Sequence, residues 1–399
     1  MNTFKKIYCR IYQFGFRAAI PLLPYRKPEP LHDAVELAKL FKSKGITNVM
    51  LVTDKSIRSY GITTPLENAF RENHIELTIY DKTVANPTSD NVEEAKEIYL
   101  ENQCEALIGF GGGSSIDCAK ATGALIANPK KTLHQISGNL KIHKKLPPLV
   151  AIPTTAGTGS ETTLAAIITD SRTRSKYCIN AFPLIPAYAV LDPEVTRSLP
   201  PHLTSTTGMD ALTHAVEAYI GRSTTRQTRK DAEEAVKLVF QYLKRAYENG
   251  NDMEARERML YAAYLAGSAF TTSYVGYVHA VAHSLGGTYN TPHGLANAVL
   301  LPYVLEAYGK TIYRQLHKLA VVANLSSTSD SDEAGAKKFI AAIWKMQEEL
   351  NVGNKLDGIK KEDIPALSKH ADHEGNPLYP VPKLMNAKEL EIFYYDLMK

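Results

Sequence analysis

The sequence predicts an α/β domain followed by an all-α domain, and three observations carry that expectation. The first half alternates short β-branched runs with helical stretches. Strands separated by helices imply a parallel sheet covered on both faces. The segment "LDPEVTRSLPPHLTSTTG" (191–208) then breaks the pattern with a Pro-Pro pair and a Ser/Thr cluster. Beyond it apolar residues recur at helical spacing, and no strand alternation is visible. The expected plan is an N-terminal extension at 1–30, an α/β domain at 31–196 and a helical domain at 197–399. A chain of 399 residues is long enough to build two cores.

The strands are expected at "NVMLVT" (48–53), "ELTIY" (76–80), "ALIGFG" (106–111) and "LVAIPTT" (149–155). Helices are expected at "SDNVEEAKEIYLEN" (89–102) and "SSIDCAKATGALIAN" (114–128). In the second half the helical stretches are "DALTHAVEAYI", "RKDAEEAVKLVFQYLKRAYEN", "MEARERMLYAAYLAGSAF" and "AGAKKFIAAIWKMQEEL". Ligands on a parallel sheet of this kind sit at the carboxyl ends of its strands. A cleft between the two domains is the default site.

Composition excludes several function classes. The chain is 44% hydrophobic and 22% charged, as a soluble globular protein is, and its net charge of +4 is small. No concentrated basic stripe points to nucleic acid. Cys9, Cys104, Cys118 and Cys178 form no CxxC pair, so reduced thiols in a cytoplasmic protein are the simplest account. The start, "MNTFKKIYCRIYQFGFRAAIPLLPY", is apolar and aromatic, but Arg10 and Arg17 interrupt it. It falls short of the ~20 apolar residues of a spanning helix. A helix that packs on the body or on a second subunit is favoured over contact with a membrane surface.

Two loops suit a phosphate ligand. "GFGGGSSID" (109–117) follows the third strand and opens a helix. Consecutive glycines let backbone approach a ligand closely, and the helix N-terminus offers free N–H groups to a pyrophosphate. Ser114 stands where the GxGxxG fingerprint has its third glycine. "PTTAGTGSE" (153–161) follows the fourth strand and is rich in hydroxyls. Asp54, at the end of the first strand, suits a ribose 2′-OH and would repel a 2′-phosphate, which favours NAD over NADP. Asp54 also precedes "KSIRS", where it suits a helix N-cap.

The histidines raise a separate question. "GMDALTHAVEAY" places Asp210 and His214 four apart on one helix face, among small alanines. His279 and His283 repeat that spacing on another helix, and His293 lies in "TPHG" at the start of the next. Residue 280 is alanine, so the HExxH zinc-protease motif is absent. A carboxylate with neutral imidazoles suits Fe²⁺ or Zn²⁺. Spacing alone does not decide which histidines are ligands.

At these residues the sequence resembles the iron-containing (group III) alcohol dehydrogenases, of the lactaldehyde reductase and butanol dehydrogenase kind. The matching pieces are "LVTDKS", "ANPT", "GFGGGSSIDCAKA", "IPTTAGTGSETT", "LDPEVTRSLP", "TGMDALTHAVEAY", "VHAVAHSLGGTYNTPHGLANA" and "GNPLYPVP", in order from residue 51 to about 382. The resemblance implies the dehydroquinate synthase-like fold: a nucleotide-binding α/β domain plus an all-α metal-binding domain. It implies Asp210, His214, His279 and His293 as ligands of Fe²⁺, with Zn²⁺ as an alternative. His283 matches a histidine kept near the nicotinamide but outside the metal shell, and is the catalytic candidate. Cofactor contacts would fall on Asp54, Asn86, Gly112, Gly113, Ser114, Asp117, Thr154, Thr155, Thr158 and Lys176. Ser115 and Ser284 replace prolines common in the family. The implied activity is hydride transfer between NAD(H) and a primary alcohol or its aldehyde, in a homodimer or higher homo-oligomer. A polyol dehydrogenase or lyase of the same fold, and a catalytically silent nucleotide-binding protein, are the alternatives.

Overall fold

The computed structural model describes residues 1–173 and 175–399. They form two compact units, Pro24–Ser198 and Met1–Leu23 with Leu199–Lys399. The chain opens with α1 (Thr3–Ala19), which belongs to the second unit.

The α/β unit holds a six-stranded sheet in the order β1-β9-β6-β4-β2-β3. Its strands are β1 (Glu29–Leu31), β2 (Asn48–Val52), β3 (Glu76–Tyr80), β4 (Ala106–Gly111), β6 (Leu149–Pro153) and β9 (Tyr188–Val190), all paired in parallel. Helices α2 (Ala34–Ser43), α3 (Lys55–Ser59), α4 (Thr64–Glu72), α5 (Ser89–Glu101), α6 (Gly113–Ala127) and α7 (Leu133–Ile136) connect them. Strand alternation divides the side chains between two faces. Val49 and Leu51 join Leu37, Phe41 and Phe70 on one side, while Met50 and Val52 join Val92, Cys118 and Ala121 on the other. Every residue of β4 is buried, as a central parallel strand requires.

The expected strands lie within a residue or two of their observed ends. Not expected were β1, β9 and a small second sheet of β5 (Gly138–Asn139), β8 (Lys176–Asn180) and β7 (Ala165–Thr169). These strands are two to five residues long, too short to show a period.

From β2 the chain moves outward to β3, then returns to the far side of β2 as β4. This reversal between β2 and β4 opens a crevice at their carboxyl ends, the usual ligand position on such sheets. Gly109 allows α6 to sit close against β4. A Cβ there would lie 2.9 Å from the Ile116 Cα.

The helical unit contains α8 (Pro201–Ile220), α9 (Arg226–Glu248), α10 (Met253–Ser273), α11 (Tyr277–Tyr289), α12 (His293–Tyr308), α13 (Tyr313–Val322), α14 (Asp332–Glu349), α15 (Ile364–Gly375) and α16 (Ala387–Leu397). Helix α8 runs through its centre, buried without interruption from Gly208 to Ile220. It begins inside the segment where the sequence showed a break. Pro201 stands at its N-terminus, where a missing N–H costs nothing. The threonines that follow bond back into the helix: Thr206 Oγ1 donates to the His202 carbonyl at 2.8 Å and Thr207 Oγ1 to Leu203 at 2.7 Å.

Helix α1 is seated by Arg10, which donates to the Val381 and Pro382 carbonyls at 2.7 and 2.8 Å. Gln13 Nε2 donates to the Tyr379 carbonyl at 2.7 Å. Among the described residues, no helix is long and apolar enough to cross a membrane.

Replacing Gly109 with valine is expected to destabilise the α/β unit by about 1–3 kcal/mol, because backbone blocks the new side chain. A urea-unfolding midpoint equal to wild type would refute the close-packing account.

Candidate metal centre and cofactor loops

One carboxylate and three imidazoles converge in the helical unit. Asp210 and His214 come from α8, His279 from α11 and His293 from the first position of α12. One donor atom from each lies within 4.8 Å of the others. Asp210, His214 and His279 are buried, and His293 is exposed, so the cluster has one open side. His214 is covered by Phe270, whose ring stacks on it at 4.1 Å.

Glu217, one turn beyond His214, orients the cluster. It is buried on α8, and its Oε2 accepts from His279 Nδ1 at 2.6 Å. The same carboxylate accepts the N–H groups of Gly276 and Val278, both at 2.8 Å. It therefore caps the N-terminus of α11 from a neighbouring helix, where the helix dipole favours negative charge. Burial pushes Glu217 up to about 7, against the pull of those N–H donors and of His279. Gly276 makes the approach possible, since a Cβ there would lie 2.7 Å from Glu217 Oε1.

The tautomer of His279 follows. Its Nδ1–H is engaged by Glu217, so the lone pair lies on Nε2, toward the cluster. Burial first, then neighbouring His214, His293 and His283, hold His279 well below its ordinary pKa. The ring is neutral, as a metal ligand must be.

Asn297, one turn into α12, tests whether the donors fit a cation. Its amide nitrogen lies 2.7 Å from Asp210 Oδ1, 3.0 Å from His279 Nε2 and 3.1 Å from His293 Nε2. An amide has two hydrogens for these three acceptors. Asn297 thus cannot satisfy all three lone pairs that converge on it. One carboxylate and three imidazoles suit Fe²⁺ or Zn²⁺.

His283 stands at the open side, its ring stacked on His293 at 5.2 Å. Its Nδ1 donates to Glu374 Oε1 at 2.6 Å, and Glu374 also accepts from the Tyr379 hydroxyl at 2.6 Å. Burial works to lower the His283 pKa, but the Glu374 carboxylate outweighs it and holds the imidazole above its ordinary value. Tyr379 is in turn held by Gln13 of α1. Tyr277, at the start of α11, is fully buried, its hydroxyl hydrogen shared between Asn376 Oδ1 and the Met385 carbonyl.

In the α/β unit the predicted cofactor residues gather at the β2/β4 crevice. Gly111 has φ +145°, a conformation other residues rarely adopt, and Gly112 is the uncapped N-terminus of α6. The first-turn N–H groups of that helix remain available to an anion. Thr155 and Thr158 lie over Gly112 and Gly113, 3.7 and 3.5 Å from where their Cβ atoms would be. Thr155 Oγ1 is buried with no hydrogen-bond partner among the described residues. Thr154 N–H donates to the Gly111 carbonyl at 3.0 Å, joining the two loops.

Asn86 N–H donates to Ser114 Oγ at 3.3 Å, and Lys176 Nζ donates to Asn86 Oδ1 at 2.7 Å. Asp54 Oδ1 caps α3 by accepting from Ser56 and Ile57 N–H, while its Oδ2 faces Gly111. Asp117 is committed elsewhere. Its oxygens accept from Ser160 Oγ at 2.6 Å and Ile167 N–H at 3.0 Å, which fixes the second loop to α6.

Two family models match the chain: iron-containing alcohol dehydrogenase over residues 32–193, and the Fe-containing alcohol dehydrogenase family C-terminal model over residues 204–398. The chain belongs to the iron-containing alcohol dehydrogenase family. It is 36% identical over 386 residues to 1,3-propanediol dehydrogenase of Klebsiella pneumoniae, covering 95% of this chain and 98% of that one. It is 37% identical over 341 residues to NAD-dependent methanol dehydrogenase of Bacillus methanolicus, covering 84% and 88%. Among solved structures, 1,3-propanediol oxidoreductase superposes with a TM-score of 0.90 at 34% identity, covering 94% of this chain and 99% of that one.

In this iron-containing alcohol dehydrogenase, sequence reasoning missed Glu217, Glu374 and Asn297. Glu217 was within reach: it lies seven residues after Asp210 on the same helix, and a carboxylate in an otherwise apolar stretch needs a partner. Glu374 and Asn297 carried no comparable signal.

Glu217→Gln, which keeps the shape but loses the charge, is expected to weaken divalent-metal affinity about 10- to 100-fold. Metal titration of the purified variant measures this, and wild-type affinity would remove Glu217 from the orienting role.

Proposed function

We propose that this enzyme transfers a hydride between NAD(H) and a primary alcohol or its aldehyde, with Asp210, His214, His279 and His293 holding a ferrous ion. The observation that carries the proposal is the lone-pair-rich cluster with His283 and Glu374 at its open side. The ligand set also accepts Zn²⁺, and the family name favours iron. The name of the methanol dehydrogenase relative supports NAD as the cofactor. Free cysteines at 9, 104, 118 and 178 support a cytoplasmic setting.

When bound, the cation supplies a Lewis acid for the substrate oxygen, and the nicotinamide supplies the hydride acceptor or donor. The chain's own groups do the rest. Glu217 fixes the His279 ring, and Phe270 packs against His214, so the donors are held before any ligand arrives. Glu374 fixes His283 through Nδ1 and leaves Nε2 as the atom that accepts the hydroxyl proton. The carboxylate stabilises the imidazolium that forms. In the aldehyde-reducing direction, the same nitrogen returns the proton.

At the α/β unit, the α6 N-terminus and the hydroxyls of Thr155 and Thr158 are assigned to the pyrophosphate. The free oxygen of Asp54 is assigned to the adenosine ribose. Ser114, Asn86 and Lys176 form the polar wall beside them, with Lys176 assigned to the nicotinamide ribose. Asp117 serves by positioning the second loop through Ser160.

The test is anaerobic iron loading, then a panel of short alcohols and aldehydes with NAD(H) and NADP(H). No turnover of any pair would overturn the assignment. His279→Ala is expected to lose metal and activity together. His283→Ala is expected to keep its metal and lose about 10²–10⁴-fold in kcat. Metal content in His279→Ala equal to wild type would remove that ligand from the shell. Asp54→Gly is expected to raise the activity with NADP relative to NAD, and an unchanged ratio would rule out the ribose contact.

A further inference from the structure

Helix α1 turns an apolar face outward, away from the body on which it is seated. Its inner face buries Cys9 and Gln13, and the turn after it buries Ile20. Its outer face presents Phe4, Ile11 and Phe14, exposed by 83%, 66% and 73%. Ile7 and Tyr8 lie between them on the same stripe, and Leu22 extends it at 86% exposed. Singly exposed apolar residues are ordinary, but a contiguous stripe marks a contact surface.

Positive charge borders the stripe on one side and at its end. Along one flank, a groove is lined by Lys6 and Lys383 together with Ile7, Ile11 and Phe14, with Arg10 turned inward to the Val381 and Pro382 carbonyls. At the C-terminal end of α1, a second groove is lined by Arg17, Arg226, Arg229 and Lys230. Of the nearby carboxylates, Glu389 pairs with the Met1 amine and Asp372 with Lys5, which leaves Glu233 as the one carboxylate among the four cations of the second groove. A net cationic collar therefore borders one flank and the C-terminal end of an apolar helix face.

We propose that this face docks on an anionic phospholipid bilayer, with α1 lying flat at the headgroup level. Apolar side chains would enter the headgroup–acyl boundary while the collar pairs with lipid phosphates. Phe4, Tyr8 and Phe14 are of the aromatic type favoured there. The collar argues against a second copy of the chain. A two-fold contact through this face would bring the cationic border of one copy close to that of the other, and like charges repel.

Vesicle flotation of the full chain tests this, with vesicles of phosphatidylcholine alone and of phosphatidylcholine mixed with phosphatidylglycerol. The chain is expected to float with the mixed vesicles, to remain below with the neutral ones, and to detach as salt rises. Ile11→Glu with Phe14→Glu is expected to abolish flotation at an unchanged melting temperature. Arg226→Ala and Arg229→Ala are each expected to weaken binding about fivefold. The arginine variants carry the test alone if the double variant proves unstable. Absence of flotation, equal flotation with both vesicle types, or flotation untouched by these variants would overturn the proposal. So would light scattering showing a dimer in wild type that the double variant converts to monomer.

Discussion

The buried Glu217 carboxylate is the interaction on which the helical unit turns. It joins two helices by accepting the first N–H groups of α11, and it sets the tautomer of a histidine on that helix. A charge so deep is costly unless every lone pair finds a donor. Here the donors are a helix end, which has N–H groups to spare, and a histidine that has to present its other nitrogen elsewhere. Structural cost and functional geometry are settled by the same contacts.

The α/β unit solves its problem differently. A parallel sheet needs no charge inside it, and β4 is apolar along its whole length. Backbone N–H groups and threonine hydroxyls collect at the carboxyl ends of β2, β4 and β6, and the buried Lys120 on α6 is satisfied by Thr163 and the Ala165 carbonyl. One unit gathers lone pairs and the other gathers N–H groups.

Much of this was legible in the sequence. Strands such as "ALIGFG" and "LVAIP" announce themselves because buried parallel strands are continuous β-branched and apolar runs. The glycine loop and the pair Asp210 and His214 were visible because backbone strain and helical spacing leave marks in residue type and number. The remainder depends on contacts between distant segments. The choice of His293 over His283 came from family likeness, and the structure supplies its geometry: His283 is turned to Glu374, 91 residues away. The hydroxyl-rich start of α8 looked like a break because threonines that bond back to their own helix have the same letters as threonines in a turn.

The seat of α1 has a wider consequence. Gln13 holds the backbone of Tyr379, the hydroxyl of Tyr379 holds Glu374, and Glu374 holds His283. Two side chains separate the outermost helix from the group assigned to the proton. The alignment of that histidine is thus inherited from a helix lying outside both family-matched segments, which begin at residue 32. A change in the start of the chain would therefore reach the His283 ring through Tyr379 and Glu374 without altering any residue at the metal cluster.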